Sequence, residues 1–275
     1  ILPGGGQIMC GRRGHNETLI WTDLDMFAMR YIGGQFVYSF PQVGSNCGAI
    51  SRLAVGMMGG KAAWMGQRTF YLYEGHVREI ICPVGDYVFN RLNRAQASKI
   101  NCVVNSDFNE FTWNYPSTGT EVDSYVSWDA EEDHWTVGSL VRTSGIDRGF
   151  LQFPLMADAD GCVYEHENGT TYADEGGDPT YTPYIESGPV EIDHGDRLVD
   201  ILGYIPDEEA LGEVNTRLYT RLYPTGSETT HGPYTNANPT SVRITGRQVR
   251  IRHTQVTGGW RVGTPRLEVQ PGSRR

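Results

Sequence analysis

The residues of this 275-residue chain with the most chemical potential are acidic and closely spaced. Asp129, Glu131, Glu132 and Asp133 crowd into DAEED, between SYVSW and HWTVG. They could hold a cation or supply paired carboxyls. Sequence neighbours at a hairpin tip point apart, however, whereas a retaining glycosidase needs two carboxyls about 5 Å apart across a cleft. The knot therefore reads as a solvated turn. DADG at 158–161 opens like a calcium loop, but the twelve-position pattern with its closing Glu is absent, and it too reads as a β-turn. The seven His form no H-x-E, H-E-x-x-H or H-x-H arrangement, and His134 and His166 read as strand or turn positions. Ser144-Gly145 lacks the G-x-S-x-G elbow, and GGG at 4–6 is not followed by GK[ST]. SDFNEFTW (106–113) has the Ser, Thr and Trp of the S-x-D-x-G-x-T-W turn found in sialidase-type propellers. Phe108 and Glu110 stand where its Asp and Gly belong, and it occurs once. The expectation is a chain with no catalytic residues, no cofactor site and no metal site, and not an enzyme. One basic cluster stands out: Arg243, Arg247, Arg250 and Arg252, four Arg that read as lying on one hairpin.

The elements that carry these residues read as short strands. LIWTD, MFAMRYI, QFVYSF, AAWMG, TFYLYE, HVREIIC, EFTWNY, SYVSWD, HWTVGSLV and GCVYEHE are each bounded by Gly, Asp, Asn or Pro. Gly33-Gly34, Glu74-Gly75 and Asp160-Gly161 supply tight turns. Trp64, Trp113 and Tyr164 recur about 50 residues apart, the repeat of a propeller blade. The alternation Phe111, Trp113, Tyr115 places three rings on one face, against the next blade. A short helix is expected near 86–98, with Val88, Leu92 and Ala95 on its buried stripe. TYADEGGDPTYTPY (171–184) reads as a connector, and longer strands follow it. The fold class expected is all-β: a β-propeller-like body of short antiparallel sheets over 1–182, incomplete at its N-terminus, then a C-terminal β-sandwich-like domain over 183–275. The opening ILPGGG, without an initiator Met, suggests a processed product or a piece of a longer chain.

Composition agrees. Gly 34, Pro 14, Tyr 15 and Trp 6 favour turns and strands, and no apolar run approaches the roughly 20 residues that cross a bilayer, so no membrane partner is expected. The five cysteines are an odd, scattered set without a CxxC pair, which fits reduced and mostly buried thiols from a cytosolic setting. Charge is segregated. Lys and Arg number 10 against 8 Asp and Glu over residues 1–120, 3 against 22 over 121–210, and 10 against 3 over 211–275. The acidic middle reads either as solvated loops or as a surface that repels nucleic acid or complements the basic end of another copy. The four Arg read as an exposed strand face or as contacts to a phosphate backbone or to a neighbouring copy. Subunit pairing is preferred, because a chain at −10 overall is repelled by DNA.

KAAWMGQRTFYLYEGHVREIICPVGDYVFNRLN (61–93), FTWNYPSTGTEVDSYVSWDAEEDHWTVGSLVRT (111–143), DGCVYEHENG (160–169), YIESGPVEI (184–192), VRITGRQVRIRH (242–253) and WRVGTPRLEVQPGSRR (260–275) give the chain a family likeness. It resembles bacteriophage tail proteins of the packaged-DNA stabilisation type, the tail hub or nozzle. The resemblance covers roughly residues 55–275 and rests on structural rather than catalytic motifs. It implies a propeller-like body, a following β domain and a ring of six copies in the virion tail, assembled in the host cytoplasm. The ring would extend the channel through which double-stranded DNA passes without sequence-specific contact, and would help retain packaged DNA. Partners would be the head-to-tail adaptor and a tail fibre or needle. On that implication Glu131, Glu132, Asp133, Asp174, Glu175 and Asp178 are candidates for acidic loops facing the channel, because like charge lets DNA slide. Arg243, Arg247, Arg250 and Arg252 are candidates for the subunit interface. The competing readings are a carbohydrate-binding or carbohydrate-degrading propeller of a phage tail, and a bacterial interaction scaffold.

Overall fold

The computed structural model describes residues 2, 4, 6–169, 182–192, 197–209, 212–256 and 260–272. The chain is nearly all β, in several small antiparallel sheets. It divides into two compact units, 1–168 and 169–275.

Four sheets follow one another in the first unit. The first joins β1 (Ile8–Arg13), β2 (Thr18–Thr22), β3 (Met26–Tyr31), β4 (Tyr38–Ser39) and β5 (Gln42–Gly44). The second is a meander of β6 (Val55–Met58), β7 (Lys61–Met65), β8 (Phe70–Tyr73) and β9 (Val77–Ile80). The third is a meander of β10 (Asn101–Asn105), β11 (Glu110–Tyr115), β12 (Ser124–Asp129) and β13 (His134–Gly138). The fourth joins β14 (Ser144–Ile146), β15 (Leu155–Ala157) and β16 (Val163–Glu165). The first strands of the second, third and fourth sheets lie side by side. Leu53, just before β6, bridges Asn101 of β10 in parallel, and Cys102 N–H donates to Leu53 O at 2.8 Å. Gly145 of β14 packs where a Cβ would meet Val103 of β10 at 2.9 Å, so only glycine permits that approach. Successive meanders with adjoining first strands are blade-like.

The repeat differs from the sequence expectation in its anchors. Trp21, Trp64 and Trp113 are all fully buried and all sit in the second strand of their sheets. Tyr164 lies in the third strand of the fourth sheet, and Met156 holds the second-strand position there. The rings of Phe111, Trp113 and Tyr115 do share one face, but they pack on the preceding sheet rather than the next, against Met65, Phe70 and Leu72. The small Ala63 of β7 leaves room for them. Each ring withdraws on the order of 200 Å² from water, roughly 5 kcal/mol as an upper figure. Phe70 meets both Trp113 and Trp135 at 4.8 Å between ring centroids.

The helix is shorter than expected. α1 spans Gly85–Arg91, and a 3-10 segment, Arg94–Lys99, follows after a break at Leu92-Asn93, where the Asn93 side chain accepts from Ala95 N–H. Val88 and Leu92 are buried as expected, while Ala95, beyond the break, is exposed. Of the five cysteines only Cys47 is buried; the others are half-buried.

The second unit is a sandwich. β17 (Tyr184–Glu186) and β18 (Val190–Glu191) both pair with β23 (Gln248–Gln255), as does β20 (Val214–Arg221), whose other edge carries β21 (Thr229–Thr235). The facing sheet has the order β22 (Thr240–Gly246), β19 (Val199–Ile205), β24 (Arg266–Pro271). Ile201, Tyr204, Val242 and Ile244 of one sheet close on Leu218 and Val249 of the other. β20 alternates buried and half-buried residues along its whole length, as a strand with one core face must.

Candidate functional site

The acidic knot at the β12–β13 tip does local structural work. Asp129 Oδ1 accepts the N–H groups of Glu131 and Glu132 at 2.8 and 2.9 Å, which folds the turn. Asp133 takes the left-handed conformation, φ +57°, and its Oδ1 accepts the indole N–H of Trp128 at 2.8 Å. Glu131 accepts from Asn109 Nδ2 at 2.7 Å, and Glu132 lies 3.2 Å from His134 Nδ1. Glu131, Glu132 and Asp133 are all exposed, between the third and outermost strands of their sheet and away from β10. Asp174, Glu175 and Asp178 lie outside the described residues. Among the described residues no three His, Cys, Asp or Glu converge as metal ligands.

The four arginines do not share a hairpin. Arg243 is on β22 and Arg250 and Arg252 on β23, strands of different sheets, because the chain crosses the sandwich at Gly246-Arg247. Arg250 pairs with Glu186 and Glu228 and lies 4.1 Å over the Tyr219 ring. Arg252 is 3.6 Å from Glu186 and 3.7 Å over Tyr184. Arg247 lies 5.8 Å from the Tyr223 ring centroid. Arg243 is exposed and has no partner among the described residues.

A site that the sequence reading passed over lies between the third and fourth sheets. β11 alternates: Phe111, Trp113 and Tyr115 join the aromatic core, and Glu110, Thr112 and Asn114 turn the other way. With Asn105 of β10, Tyr125 and Ser127 of β12, Thr136 of β13, Met156 of β15, and His166 and Glu167 just past β16, they line a cleft of about 220 Å³. Thr112 and Ser127, directly paired across the strands, share a hydroxyl hydrogen bond of 2.8 Å. Tyr125 lies across Gly138 of the neighbouring strand, where a Cβ would fall 2.5 Å from the ring.

A buried polar network stands behind the cleft. Asn114 Nδ2 donates to Asn101 Oδ1 at 3.1 Å, and Asn101 Nδ2 to Arg142 O at 3.2 Å. Arg142, only 4% exposed, donates Nε–H to His166 Nε2 at 2.8 Å and lies 4.3 Å over the Tyr164 ring. An imidazole nitrogen that accepts from a guanidinium must be unprotonated; burial and the Arg142 charge pull His166 down to about 4. Glu110 is pushed above the usual carboxylate range by burial and then by the charges of Glu167 and Asp129. Glu167 is raised by partial burial of its carboxyl and by Asp107. Carboxyls crowded in this way resist joint ionisation. The signal was present in EFTWNY, whose polar residues alternate with its rings.

No protein-family model matches the chain, and no curated protein matches it. Among solved structures, a protein titled glycoside hydrolase overlays at a TM-score of 0.32 and 8% identity, across 94% of this chain and 83% of that one. A likeness at that level leaves function to be argued from this chain's own residues.

Proposed function

We propose that the chain is a non-enzymatic structural component of a bacteriophage tail, a ring-forming nozzle or hub that extends the DNA exit channel and helps retain packaged DNA. Its partners on this reading are further copies of itself, six to a ring, the head-to-tail adaptor and a tail fibre or needle. The observation that supports self-association is an apolar hairpin left in water. Tyr31, Ile32, Phe36, Val37, Tyr38 and Phe40 are all exposed within ten residues, Phe36 by 73%. A surface this apolar is stable when another protein covers it. The family likeness given by the quoted motifs supplies the tail. Glu131 and Glu132 remain candidates for the channel wall. Arg243 is exposed and has no partner among the described residues, so it can meet a neighbour, whereas Arg250 and Arg252 already pair with Glu186 and Glu228 of their own unit.

Sedimentation of the purified chain tests this. The expected result is a closed ring at micromolar concentration that Phe36→Glu dissociates, with no reducing sugar released from host polysaccharide. A chain that stays monomeric and is absent from purified virions would overturn the reading.

A further inference from the structure

We propose that the cleft between the third and fourth sheets binds a single neutral sugar ring. The argument is one of matching chemistry. Asn105 is nine-tenths buried and lines the cleft; its Oδ1 accepts from Asp107 N–H, and its Nδ2 has no partner among the described residues. Asn114 gives its Nδ2 to Asn101, which leaves its Oδ1 as an acceptor on the cleft wall. Glu110 and Glu167 add acceptors on the same wall. One donor, the Asn105 amide, therefore stands among three acceptors, and a sugar hydroxyl, which both gives and takes a hydrogen bond, can meet either kind.

Other ligand classes fit less well. A metal ion needs several hard ligands, and no group of three converges among the described residues. An anion meets two carboxyls. An organic cation would be drawn to Glu110 and Glu167 but would leave the Asn105 amide donor without an acceptor. An apolar ligand would leave buried amides unsatisfied. The volume of about 220 Å³ holds about seven waters at ~30 Å³ each, enough for one ring and too little for a chain. The Tyr125 ring and Met156 supply apolar contact for the C–H face. The site binds and does not cleave.

The test is an NMR titration of the whole chain with methyl glucoside, methyl galactoside and methyl N-acetylglucosaminide. At least one should saturate with a Kd of about 1 mM and move the side-chain amide signals of Asn105 and Asn114. Glucuronate should bind about tenfold more weakly at neutral pH, because its carboxylate meets Glu110 and Glu167. Thr136→Arg, at an exposed position on the outermost strand, should weaken binding about tenfold or more without moving the thermal midpoint. Absence of saturation below ~50 mM, binding unaffected by Thr136→Arg, or the same signals answering to calcium or guanidinium and not to sugar would each overturn the site. Sedimentation alone decides the ring. A failed titration therefore leaves the ring standing, and a monomeric chain leaves the cleft standing.

Discussion

The two faces of the third sheet are built from alternate residues of the same strands and behave as opposites. Toward the second sheet, Phe111, Trp113, Tyr115 and Trp128 close into a dry aromatic layer. Toward the fourth, Glu110, Thr112, Asn114 and Ser127 face a polar cleft. The first contact is non-directional and tolerates small shifts, because burial depends on area rather than angle. The second depends on placed donors and acceptors, each costly to leave unmade. The side chains of a strand alternate with a period of two, so one sheet can adhere on one face and recognise on the other.

Truncation on the dry face should have the largest effect. Trp113→Ala is expected to cost about 3–5 kcal/mol in denaturant unfolding, by loss of the ring and of its indole bond to Ala54 O at 2.9 Å. Thr112→Ala, one residue away on the polar face, should cost about 1 kcal/mol, through loss of its hydroxyl bond to Ser127. Equal losses at the two positions would break the comparison. Arg142→Met comes next, at about 2–3 kcal/mol. It keeps the bulk but removes the donor to His166 and the cation over Tyr164. A loss near zero would mean that the polar network is decorative, and that the fourth sheet is held by its apolar contacts alone.

Much of the dry face was legible from the residues, and little of the wet one. Trp64, Trp113 and the ring alternation of EFTWNY announce a blade because large apolar side chains carry a period. Half of that same alternation, Glu110, Thr112 and Asn114, lines the cleft, yet polar residues on a strand read as solvent-facing unless the neighbouring sheet is known. The first strands of the sheets escaped notice for another reason. β6 and β14 carry Gly56 and Gly145, where close approach of a neighbouring strand replaces side-chain pattern. The direction in which the rings pack was also hidden, because it depends on Ala63 of a strand some fifty residues earlier. The arginine cluster misled because SVRITGRQVRIRH has the form of a hairpin, while Gly246-Arg247 carries the chain from one sheet to the other.

pH sharpens the contrast with smaller effects of opposite sign. His166 is held unprotonated with its pKa near 4, below the usual 6.5. Its contribution is therefore complete above about pH 6.5 and is lost as pH falls toward 4. His166→Gln, which can still accept from Arg142, should flatten unfolding stability across that window by roughly 1 kcal/mol, the figure discounted for solvent access. The comparison must be made against the parent chain, because His253 in the second unit is also lowered to about 4 by burial.

Glu110 runs the other way, and its effect is expected to be the smallest. Its pKa is raised, so its favourable contribution is complete below the ordinary carboxylate value and disappears as pH rises through the raised one. At neutral pH its charge is a net cost, because it is half-buried beside Glu167 and Asp129. Glu110→Gln keeps the shape and removes that charge. Unfolding at pH 7 should therefore show the variant more stable by less than about 1 kcal/mol, with the gain gone near pH 4. A gain that persists unchanged at low pH would assign it to packing. A loss at neutral pH would mean that the carboxylate has a cationic partner, and the cleft would then be a closed ion pair rather than an open polar site.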